Sequence, residues 1–146
     1  MAIVGMTGQG TTAVLTDAAI VGCVRGITLP TWTQDKIDAS CLDTTGFMRY
    51  IPSDLTDPGE CELEVIFDPT FDFSGLVGAI DTLTVTFAIA GESAPGTPNT
   101  TQAVLTGTGF ISSYNLPDLA TSTLAVATVT FCFDGDTGPT FSPEAA

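Results

Sequence analysis

The chain has 146 residues, 44% of them hydrophobic and 14% charged, and its 17 acidic against 3 basic residues set a formal net charge of −14. That length fits one domain with a self-sufficient core, and the apolar content is too high for disorder. The charge excludes ordinary binding of nucleic acid or anionic membrane surfaces, which needs Lys and Arg; the absence of histidine removes the commonest general base.

Thr, Val, Gly and Phe are prominent and good helix formers are few, so a mainly β chain is expected. Residues 1–12 form a Gly- and Thr-rich arm that lacks the basic and apolar regions of a secretory signal. No apolar run is long enough to span a bilayer, so a cytosol-like compartment is expected at first. Within the arm, GQGTTA is a formal match to the dinucleotide fingerprint. That fingerprint works only between a buried strand and a helix; Thr11, Thr12, Val14 and Thr16 do not begin one, so a flexible arm or first strand is expected. Residues 18–29 are rich in β-branched side chains and predict one bent strand, with Gly22 and Gly26 as bulge or bend positions.

Pro30 stops that strand, and residues 31–58 are expected to form a long inter-strand loop, since ordinary connections are about 4–6 residues. After the Asp57-Pro58-Gly59 turn signal, Cys61, Leu63, Val65 and Phe67 alternate with Glu60, Glu62 and Glu64. A period of two places the glutamates on one face and the apolar set on the other. Ser74 before GLVGAI predicts one short α-helix. Residues 82–90 alternate Leu83, Val85, Phe87 and Ile89 with threonines as a half-buried strand. Residues 91–101 read as an exposed loop, 102–112 as a strand, 114–122 as a loop and 124–133 as a strand. Residues 135–146 form a short tail whose end is expected to move. The expected fold is a single domain, an antiparallel β-sandwich or open barrel with one short α-helix.

Little points to catalysis. Cys23, Cys41, Cys61 and Cys132 are widely spaced with no C-x-x-C pair, so no zinc or redox motif is indicated; a reducing compartment favours four thiols over two disulfides. No serine lies in a G-x-S-x-G elbow. Carboxylate pairs such as Asp54/Asp57 and Glu60/Glu62 are expected by chance in so acidic a chain. Asp134-Gly135-Asp136 lacks the remaining ligands of a calcium loop and reads as a turn. No enzyme activity, metal or cofactor is therefore expected. Glu60, Glu62 and Glu64 stand out because like charges on one strand face repel, and only Arg25, Lys36 and Arg49 could partner them.

The segment DKIDASCLDTTGFMRYIPSDLTDPGECELEVIFDP, residues 35–69, resembles the signature region of tail tube proteins, the major tail proteins of long-tailed bacteriophages. The matching elements are Ile37-Asp38, Asp43 to Gly46, Phe47-Met48-Arg49-Tyr50-Ile51-Pro52, Asp57-Pro58-Gly59-Glu60 and Glu62 to Pro69. The early GQGTT and the order of short helix and Thr-rich strand also resemble that family.

The resemblance implies a β-sandwich with one flanking helix, assembled as homohexameric rings that stack into a hollow virion tail tube through which DNA is ejected. Implied partners are other copies of the chain and tape-measure, tail-tip and tail-terminator proteins; DNA passes without specific binding, no membrane is involved, and assembly occurs in the host cytoplasm. On this expectation Glu60, Glu62 and Glu64 line the lumen, where an acidic wall repels phosphates within a Debye length of about 8 Å. Asp43, Phe47, Met48, Tyr50 and Ile51 would belong to an inter-subunit loop, with Arg49 pairing a neighbour's carboxylate. An acidic β-sandwich decoration, head-completion or fibre module, or a secretion-system tube subunit, is the alternative.

Overall fold

Alternation over residues 60–66 becomes a strand with Cys61, Leu63 and Val65 at 1% exposure or less and the three glutamates in solvent. The computed structural model of the chain describes residues 8–16, 24–70, 72 and 74–146. Its strands are β1 (Thr12–Leu15), β2 (Val24–Thr28), β3 (Thr33–Asp38), β4 (Tyr50–Asp57), β5 (Glu60–Ile66), β6 (Ile80–Thr86), β7 (Glu92–Ala94), β8 (Thr97–Pro98), β9 (Val104–Asn115), β10 (Val126–Phe133) and β11 (Thr140–Ser142).

Seven of these form one sheet in the order β1-β6-β9-β10-β5-β2, with β11 on β9. Every pairing in it is antiparallel. The two ends of the path, β1 and β2, come back into contact, so the twisted sheet rolls on itself. Phe131, Leu63, Leu83, Ile111, Val65 and Val85 fill the inside of the roll and are fully buried. Each such side chain contributes about 1.5–3 kcal/mol by leaving water. Phe131 and Phe133 meet edge to face, centroids 5.3 Å apart.

β11 continues the row begun by β10. On one side of β9, β10 occupies residues 109–115 and β11 occupies 104–106. Beyond β11, the Glu144 carboxylate accepts hydrogen bonds from the Ala90 and Gly91 amides (3.1 and 2.7 Å) and from Asn99 Nδ2 (2.9 Å). Ala145 exchanges backbone hydrogen bonds with Thr101. The tail expected to move at its end is thus laced to the sheet by its backbone and one carboxylate.

Three further expectations change. Among the described residues there is no helix: residues 74–78 form turns, and Val77 makes an isolated bridge to Ile111. The physical reason is Gly75 and Gly78, whose positive φ (77° and 86°) leaves the right-handed helical region. The long loop expected over 31–58 is an antiparallel ribbon, β3 on β4, with an irregular tip over residues 39–49. The exposed loop over 91–101 contains a small ribbon, β7 on β8. The mainly β class stands. Most of the N-terminal arm, residues 1–7, and the first part of the expected bent strand, with Gly22 and Cys23, lie outside the described residues.

Candidate functional site: a projecting ribbon and an acidic sheet face

Strands normally bury one face, yet all six residues of β3 and all of β4 except Ser53 are exposed. Apolar side chains are nonetheless numerous on this ribbon. Ile37 and Ile51 sit opposite each other in the register, both half exposed. Phe47 is 94% exposed, Leu55 82% and Leu42 fully. Concentrated exposed apolar side chains of this kind mark interaction surfaces.

The tip is ordered by its own short polar side chains. Asp38 Oδ1 accepts from the Ser40 amide (2.9 Å), Ser40 Oγ from the Arg49 amide (2.8 Å) and Thr44 Oγ1 from the Cys41 amide (2.8 Å). The Ala39 amide donates to the Arg49 carbonyl (2.8 Å), which closes the ribbon beneath the tip. These bonds from the Ser40 amide and hydroxyl hold the Asp38 carboxyl below its ordinary value. With the backbone satisfied internally, the side chains of Leu42, Asp43 and Phe47 are left outward. At the foot, Gly59 (φ 76°) closes the β4–β5 turn, its amide donating to Asp57 Oδ1 at 2.9 Å. A Cβ there would lie 2.5 Å from the Thr31 carbonyl oxygen, so the ribbon's foot accepts no larger residue without moving.

The structure brings six of the sequence-predicted residues together on this element. Asp43, Phe47, Met48 and Arg49 lie in the tip, and Tyr50 and Ile51 begin β4. Tyr50 Oη donates to Met48 Sδ (3.3 Å), and Lys36 Nζ lies 4.4 Å from the centre of the Tyr50 ring, a cation–π arrangement. Arg49, Lys36 and Arg25 make no ion pair among the described residues.

Glu60, Glu62 and Glu64 lie on a different surface, the outside of the rolled sheet. Their cross-strand neighbours there are Cys132, Thr130 and Thr128 of β10, and Thr28 and Gly26 of β2 face Glu62 and Glu64. Farther along, Thr84 and Thr106 hydroxyls meet at 3.3 Å. The result is a hydroxyl-rich face with one acidic strand and no cation beside it in the register. Under it the Cys61 thiol is pushed up to about 11 by burial and by Glu62, which keeps it protonated and inert at neutral pH. Cys41, Cys61 and Cys132 are free thiols; Cys23 lies outside the described residues.

Sequence reasoning missed two features. Leu55 was not singled out, although it is among the most exposed apolar residues, whereas Leu42 begins the stretch, residues 42–52, expected to make the subunit contact. Between β1 and β2 a cavity of about 270 Å³ is lined by Gly8, Thr11, Val24, Arg25, Gly26, Ile27, Leu29 and Phe87. Only Gly26, flagged as a bulge position, hinted at it. Among the described residues no group of three or more Cys, Asp or Glu is placed to hold a metal.

No protein-family model matches the chain, and no curated protein sequence does. Solved structures share its fold. A chain of the sheath/tube terminator of an extracellular contractile injection system (PVC), in its extended state, superposes with a TM-score of 0.65 over 89% of this chain and 93% of its own, at 13% identity. A chain of the anti-feeding prophage baseplate superposes with a TM-score of 0.57 over 91% of each chain, at 10% identity.

Proposed function

We propose that this chain is a structural subunit of a phage-tail-like particle that self-associates into stacked hexameric rings. In this reading the rings build a hollow tail tube, the acidic face of β5 lines the lumen, and DNA passes it during ejection without binding. The observation that carries the reading is the β3–β4 ribbon, exposed on both faces and yet bearing Ile37, Tyr50, Ile51 and Leu55, with Leu42 and Phe47 at its tip, which leaves an unburied apolar surface for a neighbouring copy. The shared fold with a tube terminator and a baseplate chain and the tail-tube resemblance of residues 35–69 support it. The role is structural rather than enzymatic, with tape-measure, tail-tip and terminator proteins as further partners in the virion tail.

A second reading is a ring that caps a tube, favoured by the terminator likeness. Negative-stain microscopy of the concentrated protein separates the two. Long hollow filaments are expected for the tube subunit, and single rings for the cap. Discrete monomers or trimers at every concentration would overturn both and favour a decoration or fibre module.

A further inference from the structure

We infer that the tip of the β3–β4 ribbon of one copy seats in the β1–β2 cavity of the next, with Leu42 and Phe47 entering the cavity and Asp43 meeting Arg25. This rests on the self-assembly reading above and names the surface that receives the ribbon.

The cavity lies between the two ends of the rolled sheet. Among the described residues β1 pairs with β6 and β2 with β5, and the two strands approach each other beside the cavity. Its walls are mostly apolar, from Val24, Ile27, Leu29 and Phe87. A dry apolar cavity of about 150 Å³ already accepts benzene, so about 270 Å³ accommodates a phenyl ring and part of a second apolar side chain.

Charge selects the occupant. The chain has three basic residues, and two of them, Lys36 and Arg49, are on the ribbon itself. Arg25 is the third, and it is the extra residue of a β-bulge: β2 pairs Val24 with Val65 and then Gly26 with Glu64, so Arg25 falls between the two partners. Bulges re-aim side chains, and this one places the only cation off the ribbon at the cavity wall. The matching object must be apolar, projecting and acidic at one point. Leu42-Asp43 with Phe47, presented by the ordered tip, has those three properties. Knob and cavity occupy different surfaces of one chain, so the contact is head-to-tail, the kind that closes into rings or propagates into filaments.

Two variants test it. Leu42→Ser with Phe47→Ser removes the knob, and Gly8→Trp fills the cavity from a position where an added Cβ meets nothing within 4 Å. Each alone is expected to remain folded by circular dichroism and to lose assembly. Mixed in equal amounts they are expected to form 1:1 heterodimers by analytical ultracentrifugation, because one intact knob and one intact cavity remain. Arg25→Asp should raise the concentration needed for assembly by about tenfold or more, with recovery when Asp43→Arg is added. If the unaltered chain assembles while the variants assemble equally well, or their mixture stays monomeric, the knob-and-cavity contact falls and the assembly reading stands. If the unaltered chain never assembles, both fall.

Discussion

β5 and the β3–β4 ribbon are joined by a single tight turn and both are strands, yet they obey different rules. β5 buries Cys61, Leu63 and Val65 and shows Glu60, Glu62 and Glu64 to water. The ribbon buries neither face, although Ile37, Phe47, Tyr50, Ile51 and Leu55 are large and apolar. The first strand is stabilised by its own chain. Among the described residues the second is held by its own ladder, the hydrogen bonds of its tip and the Lys36–Tyr50 contact. Apolar content alone therefore does not mark a core; apolar content without a covering element marks a contact still to be made.

Breaking each region separately sharpens that difference. Phe131→Ala, inside the roll against β5, is expected to cost about 3–5 kcal/mol of unfolding free energy, measured by denaturant titration. Leu42→Ser at the tip is expected to change the same quantity by about 0.5 kcal/mol or less, while assembly is lost. A large stability loss from Leu42→Ser would mean that the tip is covered within its own chain. Gly59→Ala acts at the junction of the two regions. It forces a side chain into a left-handed backbone position and against the Thr31 carbonyl, with an expected cost of about 1–3 kcal/mol and a re-aimed ribbon detectable as altered assembly.

On the acidic face, replacing Glu60, Glu62 and Glu64 together by Gln removes like charges that have no cation among their cross-strand neighbours. Stability should hold or rise slightly. The salt dependence of assembly should flatten, because the charges removed are those that salt screens; an unchanged salt profile by light scattering would place these residues away from any crowded lumen.

The smallest effect is expected at Glu144. Hydrogen bonds from the Ala90 and Gly91 amides and from Asn99 hold its carboxyl below the ordinary value. A lowered folded pKa means that its contribution is present above the ordinary carboxylate range and is lost as pH falls through the lowered value. The protection of the Ala90, Gly91 and Thr101 amides against hydrogen exchange, taken relative to the intrinsic rate at each pH, should therefore fall in acid in the parent chain. In Glu144→Gln it should be lower already at neutral pH and show no such acid step.

Much of the sheet was legible because its strands alternate. The period-two patterns of residues 60–66 and 82–86 assigned both faces correctly, since a face buried against other strands leaves that imprint. The helix expected after Ser74 was not there, because Gly75 and Gly78 take left-handed backbone angles that a propensity argument passes over. The ribbon hid as a loop because its alternation is blurred: with no face against a core, polar and apolar residues on it follow the needs of a partner surface. Arg25 could be flagged only through its neighbour Gly26, since a bulge is a property of two strands in register.

Composition and local pattern by themselves determined a mainly β, strongly acidic chain, with three glutamates on one strand face and a cluster of apolar residues around Phe47. These follow from counting charges and from the two-residue repeat of an extended backbone. Only the tertiary structure decided that the segment between Thr31 and Pro58 is a projecting ribbon, that the sheet rolls until β1 and β2 meet around a cavity, and that the tail from Thr140 onward completes the row beside β9. Each of those depends on which strands pair at long separation, and that choice is made by the burial of the whole sheet rather than by any one stretch of it.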